Sequence, residues 1–215
     1  MPTTVDGGWR STRFRYALWR HWLPSVDPWQ LEPDPARAEL ARLYFTAHGP
    51  ATVQDFRWWS GLSAAQASHA IRSGEIEEGT DGHLFAGERR RPPAPLVVRL
   101  LPIFDTALLT HADRSRIVDD DRLPFVYDRG GNATSVIVVD GRAAGVWDLD
   151  ADAGIAKVAP LEAFSDSRWR AIRAEVERIR NAAGLGAVEL VRCESPPSLR
   201  DGARNLFMSP LRSCQ

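Results

Sequence analysis

The first strong pattern of hydrophobic and polar positions covers residues 34–49 and has the period of a helix. Apolar side chains recur at steps of three and four residues, as they do along the face of a helix that packs on a core. Asp34 and Pro35 are typical of a helix start, and Gly49 is typical of a helix end. The pattern therefore predicts an amphipathic helix whose apolar stripe consists of Ala36, Leu40, Leu43, Tyr44 and Ala47.

Two shorter helices are predicted after Pro50, which prevents the first helix from continuing. Thr52 is an N-cap candidate with Asp55 three residues later, a variant of the capping box. Ser63 is the N-cap candidate of the next helix, residues 64–73. Two short helices joined by a tight turn that contains glycine indicate a helix-turn-helix.

A β-hairpin is predicted directly after these helices. The dipeptide Asp81-Gly82 is a preferred two-residue turn, and apolar residues flank it on both sides. Three helices followed by a hairpin "wing" are the order of elements in a winged helix, which predicts such a domain over residues 34–91. The segment GERRRPPAP at residues 87–95, rich in arginine and proline, closes this part of the chain and is typical of an extended connector.

The rest of the chain, residues 96–215, combines strand patterns with one helix. Two β-rich runs flank Asp140-Gly141, which predicts a second hairpin. Helical spacing of Trp169, Ile172, Val176 and Ile179 predicts a helix between Asp166 and Gly184, and further strand candidates lie at residues 96–101, 154–162 and 187–193. The predicted fold class is α+β: a winged helix-turn-helix followed by a small antiparallel β-sheet module with a packed helix.

The N-terminal segment, residues 1–33, is rich in tryptophan and arginine. Its first 24 residues hold four arginines against Asp6, a local charge of +3. Phe14, Leu18 and Trp22 lie four residues apart, the spacing of one helical face. Two interpretations follow: a basic aromatic surface that contacts phosphates and bases, or an amphipathic helix that packs its tryptophans on the body. Packing is the commoner use of large aromatic side chains.

The charge balance restricts where DNA could bind. A net charge of −1 and a sequence pI of about 6.5 exclude a strongly basic field over the whole protein. Residues 34–91 carry seven arginines and eight acids, a balance of −1, so contacts with DNA would be local. In a helix-turn-helix the second helix reads the bases, and glutamine and arginine can read adenine and guanine. The candidate DNA-binding residues are Arg10, Arg13, Arg15, Gln66, His69 and Arg72.

The start of the predicted wing favours a different partner. Glu75, Glu77 and Glu78 lie there and would repel phosphate. Winged helices also dock proteins, so a protein partner is the alternative to double-stranded DNA.

No catalytic, metal or cofactor site is predicted. Asp105, Asp113 and the run Asp119–Asp121 form a carboxylate-rich stretch, but successive aspartates are usually a solvated loop. The spacing matches neither an EF-hand loop nor a P-loop. Two cysteines without a Cys-x-x-Cys motif predict reduced thiols and no zinc site. With no signal-peptide pattern and no apolar run of about 20 residues, we expect a cytoplasmic protein that does not enter the membrane.

Three segments carry a resemblance to a known family. They are LARLYFTAHGPATVQDFRWWSGLS at residues 40–63, LLPIFDTALLTHADRSRIV at residues 100–118, and VIVVDGRAAGVW at residues 136–147. They resemble the tandem winged-helix DNA glycosylases, the AlkZ-like crosslink-repair family, with the first segment in that family's middle winged helix. The resemblance implies tandem winged helices with a β-rich C-terminal part, and removal of alkylated or crosslinked bases from DNA.

The resemblance also implies a catalytic Gln-x-Gln motif in a region before the middle winged helix. The glutamines of this sequence are Gln30, Gln54, Gln66 and Gln215, and none lies in such a motif. What carries over is the scaffold and a DNA-binding role without a catalytic residue, as expected of a relative that lacks the N-terminal catalytic region. A shortened relative and a sequence that starts too late both fit.

The lead hypothesis is a winged-helix protein that binds double-stranded DNA and is not catalytic alone. One alternative is an active DNA glycosylase that acts on alkylated or crosslinked bases and activates water with Asp105 or Asp113. The other is a winged-helix protein-interaction module without DNA binding.

Overall fold

The computed structural model describes residues 2–5, 14–27, 29–88, 96–200 and 211; of residues 2–5, 14 and 15 it describes the backbone alone. The chain forms a mixed α+β fold. The first half contains β1 (Pro2–Val5), β2 (Phe14–Tyr16), α1 (Trp19–Trp22), α2 (Pro33–His48), α3 (Val53–Ser60), α4 (Ala64–Ser73), β3 (Glu77–Glu78) and β4 (Leu84–Phe85). The second half contains β5 (Val98–Leu101), α5 (Thr106–Leu109), α6 (Leu123–Val126), β6 (Val136–Val139), β7 (Arg142–Asp150), β8 (Ile155–Pro160), α7 (Asp166–Ala182) and β9 (Glu189–Arg192).

Helices α2, α3 and α4 pack around one small core and are followed by the β3–β4 hairpin, in the predicted order. Both predicted N-caps form capping boxes. The Thr52 hydroxyl accepts from the Asp55 amide at 3.1 Å, and the Ser63 hydroxyl accepts from the Gln66 amide at 3.3 Å. Each box satisfies backbone N–H groups that the first turn of a helix leaves unpaired. The caps therefore fix where α3 and α4 begin.

The start of α2 differs from the prediction. The helix begins at Pro33, and Glu32 occupies the N-cap without a side-chain hydrogen bond. Asp34 lies in the first turn instead, where its carboxylate pairs with Arg37 at 2.7 Å. A carboxylate there still interacts favourably with the positive end of the helix dipole. Asp34 therefore stabilises the N-terminal end of α2 from the first turn and not as the N-cap.

The second half is built on a five-stranded sheet with the order β5-β6-β7-β8-β9. Asp140 and Gly141 have φ angles of 49° and 85°, as a tight two-residue turn between β6 and β7 requires. The sheet is antiparallel except at its last pair, where β9 runs parallel to β8. Helix α7 connects these two strands, and a parallel neighbour needs such a crossover. The expectation of an all-antiparallel sheet therefore fails at β9.

Two apolar layers cover the two faces of this sheet. Helix α7 packs Ile172 and Val176 on one face, in the core that includes Ile137. The other face packs against Leu108 and Val118, in the segment that links β5 to β6. The same segment also forms hydrogen bonds with the helices of the first half, through the Thr110 carbonyl and the Ala112 amide.

The interpretation of Phe14, Leu18 and Trp22 as one face of a helix is wrong for its first part. Phe14 lies in β2, which pairs with β1 at Val5, and α1 has four residues. Pairing with a strand at the N-terminus overrides the local helical spacing. None of the described side chains of α1 is buried, so the interpretation that this segment packs its tryptophans on the body is also wrong for Trp19 and Trp22.

Two further expectations concern the whole chain. Cys193 is disulfide-bonded, so the prediction of reduced thiols is wrong for this residue. Across the part of the chain that the structure covers, no helix is both long and apolar enough to cross a membrane.

Candidate nucleic-acid interface

Helix α4 presents a polar face to solvent because its other face is locked onto α2. Ala67 and Ala70 are fully buried, and these small side chains allow the two helices to approach closely. At Gly74 the approach is closer still: a Cβ there would lie 2.9 Å from the carbonyl oxygen of Ala38. His69 and Arg72 are exposed on the opposite face, and Ser68 beside them is half-buried.

The three candidate residues on α4 have different freedom to bind a ligand. The Gln66 carbonyl oxygen accepts from the Ser63 amide at 3.0 Å, so the capping box uses the group that a two-point contact with adenine would need. His69 Nε2 lies 3.9 Å from the Asp34 carboxylate. Arg72 is exposed and forms no ion pair with any described residue. Arg72 is therefore the cation of this helix that is available to a phosphate or a base.

The other three candidates lie at the N-terminus. Arg10 and Arg13 are outside the described residues. Arg15 lies in β2, paired with Thr4, and only its backbone is described.

The hairpin beside α4 is acidic at its start. Glu75 has a φ of 54° as the chain turns out of α4, and Glu77 and Glu78 in β3 are exposed. At the tip the Gly79 amide donates to the His83 carbonyl at 2.8 Å, and the His83 amide donates to the Asp81 carboxylate at 3.1 Å. Hydrogen bonds within the hairpin therefore fix the conformation of the tip. The carboxylates of β3 create a negative potential beside α4.

A buried carboxylate joins the three helices to the second half of the chain. Asp55 is 1% exposed and accepts from the Thr52 amide at 2.9 Å and the Thr52 hydroxyl at 2.8 Å. Its other oxygen accepts from the amides of Ala112 at 2.8 Å and Asp113 at 3.4 Å. Burial alone would raise the pKa of Asp55, but the hydrogen bonds from Thr52, Asp113 and Ala112 hold this pKa below its ordinary value of 3.8. Asp55 therefore caps α3 and anchors the loop at residues 111–113 with one side chain.

More hydrogen bonds close the same junction. The Tyr44 hydroxyl donates to the Thr110 carbonyl at 2.8 Å, and the Arg116 guanidinium donates to the Pro50 carbonyl at 2.6 Å. His111 Nε2 lies 3.1 Å from the His48 carbonyl oxygen. These contacts hold the orientation of the helices relative to the sheet, and with it the direction in which α4 faces.

The two histidines of this junction make its stability depend on pH. Burial lowers the pKa of His48, and burial together with the nearby Arg116 lowers the pKa of His111, both from an ordinary value of 6.5. Below pH 6.5 the unfolded chain therefore binds more protons than the folded chain, so stability falls as the pH decreases from that value. We expect a lower urea midpoint at pH 5.5 than at pH 7.5.

A variant with both histidines replaced tests the assignment of that loss. The double substitution His48→Gln and His111→Gln should reduce the difference between the two midpoints. Asp55 and Glu162 have lowered pKa values. Their contribution to stability is therefore lost only as the pH falls below their ordinary pKa values of 3.8 and 4.5, which lie outside this window. An equal loss in the variant and the parent would contradict the assignment.

The carboxylates of the predicted solvated loop have structural roles. Asp105 accepts from the Ala107 amide at 2.8 Å and caps α5, and Asp113 accepts from the Ser115 amide at 2.9 Å. Asp119 pairs with Arg142 and lies 3.6 Å from Arg122. No cluster of three or more His, Cys, Asp or Glu side chains suited to a metal ion occurs among the described residues.

The junction could not be predicted from the sequence because its partners are distant in the chain. Thr52 and Asp55 were recognisable as a capping pair, but the amide of Ala112 lies 57 residues beyond Asp55. The sequence shows that polar residues, beginning with Thr110 and His111, follow the apolar residues 107–109, but not that they meet α3.

Comparisons with known proteins agree on one family. The family described as AlkZ-like, DNA glycosylase AlkZ-like, matches residues 1–182. An interstrand DNA cross-link repair glycosylase of Streptomyces sahachiroi is 26% identical over 167 residues, which cover 72% of this chain and 44% of that protein. The solved structure of the Streptomyces sahachiroi DNA glycosylase AlkZ has a TM-score of 0.63 at 23% identity, covering 75% of this chain and 47% of that one. The chain thus spans about half the length of the relatives that it matches.

Proposed function

Because the chain belongs to the AlkZ-like DNA glycosylase family, we propose that it binds double-stranded DNA through a winged helix formed by residues 34–91. In this proposal α2, α3 and α4 form the helical part and the β3–β4 hairpin is the wing. Helix α4 enters the major groove, as the second helix of a helix-turn-helix does. The observation that carries the proposal is Arg72, which is exposed, pairs with no residue in the described part of the chain, and lies on the solvent face of a helix packed against α2.

The proposed domain organisation follows the same division. Residues 1–33 form an N-terminal segment, residues 34–91 the winged helix, and residues 96–215 an α+β module. The Asp55 contacts with Ala112 and Asp113 support a fixed orientation of the second unit against the third. A fixed orientation lets the α+β module support the helix that reads DNA.

The proposed role is binding, and no catalytic residue is assigned. The sequence contains no Gln-x-Gln, the motif that the family resemblance associates with base removal. Asp105 and Asp113, which could activate water, are each engaged in capping a turn. We therefore propose a DNA-binding member of a DNA-repair family that needs a further component for base excision.

Charge reversal at the exposed arginine tests the proposal. Arg72→Glu should lower the affinity for a labelled duplex by about tenfold or more, since one arginine contact with a base is worth about 1–3 kcal/mol. Reversal of Arg13 and Arg15 together should weaken binding and flatten its dependence on salt, if these residues contact phosphates. Fluorescence anisotropy at low and moderate salt measures both effects.

Arg173→Glu is the matched control, because Arg173 is an exposed arginine on α7, away from the proposed interface. Its affinity should stay within about twofold of the parent, the size of effect expected from a screened, distant charge. Equal losses in Arg72→Glu and Arg173→Glu would contradict a specific role of α4.

The acidic start of the wing favours a second candidate function, docking of a protein with a basic surface. Glu77→Lys together with Glu78→Lys separates the two candidates, because both side chains are exposed beside α4. If α4 binds DNA, this variant should bind duplex more tightly than the parent. If the wing docks a protein, duplex binding should be absent in the parent, and a partner captured by the parent should be lost by the variant.

A further inference from the structure

The N-terminal segment after β2 exposes an unusual amount of apolar surface. The side chains of Tyr16, Trp19, Trp22 and Trp29 are 74%, 38%, 51% and 86% exposed. Four Leu or Val side chains of the same segment are at least 37% exposed. We call this surface, residues 16–27 and 29–31, the apolar arm.

The arm has a defined shape although the body does not cover it. Trp19 Nε1 donates to the Val26 carbonyl at 2.9 Å, and the Leu23 amide donates to the Trp19 carbonyl at 2.8 Å. The Trp29 amide donates to the Asp27 carboxylate at 2.9 Å. A surface ordered before it binds loses less entropy when a partner covers it.

The exposed apolar area of the arm is close to that of a stable interface. An aromatic side chain offers about 150–250 Å², so the exposed fractions of the four rings leave on the order of 500 Å² of mostly apolar surface. The aliphatic side chains raise this further. The largest patch on a typical monomer is a few hundred Å², and a stable interface buries about 800 Å² on each partner. The arm therefore approaches the area that a stable dimer needs.

The charges of the arm favour a second copy of the same chain as its partner. Arg20 and His21 lie in its first part, and Asp27 follows in the second part with Glu32 directly after the arm. Across a twofold axis, residue i of one copy meets residue j of the other, and j meets i. An antiparallel pairing of two arms then brings each basic part against an acidic part. The net charge of −1 leaves little repulsion between whole copies.

We infer that two copies of this chain associate through their apolar arms into a twofold-symmetric dimer. The exposed rings and aliphatic side chains form the centre of the interface, and Arg20 of one copy lies near Asp27 of the other at its rim. A dimer would also present two copies of α4, which is the geometry by which helix-turn-helix proteins read paired half-sites.

The mass of the full chain in solution, measured by light scattering during size exclusion without DNA, tests this inference. We expect a mass of twice 23.9 kDa at micromolar concentration. Trp22→Glu together with Trp29→Glu should give a monomer with an unchanged circular-dichroism spectrum, because neither side chain is buried in the body. Trp58→Glu is the matched control: Trp58 is 46% exposed on α3, outside the arm, and this variant should remain a dimer.

A charge exchange tests the twofold geometry separately. Arg20→Glu should raise the dissociation constant of the dimer severalfold, and adding Asp27→Arg should restore it.

A monomeric parent, or dissociation by Trp58→Glu as complete as by the arm variant, would overturn the inference. If the parent is monomeric and oligo(dT) quenches the fluorescence of the arm, the surface binds unpaired bases instead, which also overturns it. These masses are measured without duplex, so their outcome is independent of the proposed DNA binding.

Discussion

Replacing Asp55 by alanine is expected to lower the free energy of unfolding by about 3 kcal/mol. The buried carboxylate accepts four hydrogen bonds, from the amide and hydroxyl of Thr52 and from the amides of Ala112 and Asp113. The substitution leaves those donors without their acceptor at a position where the carboxylate was 1% exposed, and a buried polar group left without a partner costs about 1–3 kcal/mol. It also removes half of the α3 capping box. A fall in the urea midpoint with an unchanged slope would measure the loss.

Asp113→Ala provides the comparison. Asp113 belongs to the same junction, but its side chain is exposed and accepts from the Ser115 amide at the start of a short turn. Loss of such a cap should cost at most about 1 kcal/mol. Similar midpoints for the two variants would show that Asp55 does not hold the junction.

Gly49→Ala is expected to lower the free energy of unfolding by about 2 kcal/mol. A Cβ at Gly49 would lie closer than 3.0 Å to the carbonyl oxygen of Phe45, and 3.1 Å from both the Leu84 carbonyl oxygen and the Phe85 Cα. All three atoms belong to backbone, which cannot rotate away as a flexible side chain can. Relief of the overlap requires both the last turn of α2, which holds Phe45, and the hairpin to shift, and the apolar contacts between them would weaken.

Gly186→Ala serves as the neutral control for this prediction. A Cβ at Gly186 would meet no heavy atom within 4 Å, so its cost should be within about 0.5 kcal/mol. Gly61→Ala should lie between the two, at about 1 kcal/mol. It has the same open space, but its φ of 70° is unfavourable for a residue with a Cβ. Thermal or urea unfolding of the three variants would test this order, and a Gly49→Ala protein as stable as the parent would contradict the close packing.

Elements whose signals are local were predictable from the sequence. The capping residues Thr52 and Ser63 fixed the starts of α3 and α4, because a cap is formed by residues three positions apart. The Asp140-Gly141 turn predicted the β6–β7 hairpin, because both residues tolerate the positive φ that the turn requires. Helix α7 followed from its apolar spacing, which the buried Ile172 and Val176 satisfy.

Elements that depend on distant partners were not predictable. The spacing of Phe14 and Leu18 fits a helix, but β1 supplies a strand partner and Phe14 joins a sheet. The direction of β9 depends on the crossover through α7, which no pattern within the strand records.

The candidate interface was only partly visible in the sequence for the same reason. The sequence places Gln66, His69 and Arg72 on one helix, but not which side of that helix α2 covers. The structure brings His69 and Arg72 to the exposed face and engages Gln66 in the cap. The junction around Asp55, which orients this helix against the sheet, joins residues 57 positions apart and has no counterpart in any local pattern.

The affinity of the unmodified chain for duplex DNA at two salt concentrations decides whether this chain binds DNA. Fluorescence anisotropy of a labelled duplex, titrated with protein at about 50 mM and about 200 mM NaCl, gives both the affinity and its dependence on salt. We expect binding that weakens as salt increases, since Arg72 and the N-terminal arginines would displace counterions from phosphates. No binding at the lower salt would contradict it, and the exposed face of α4 would then be a surface for a protein partner.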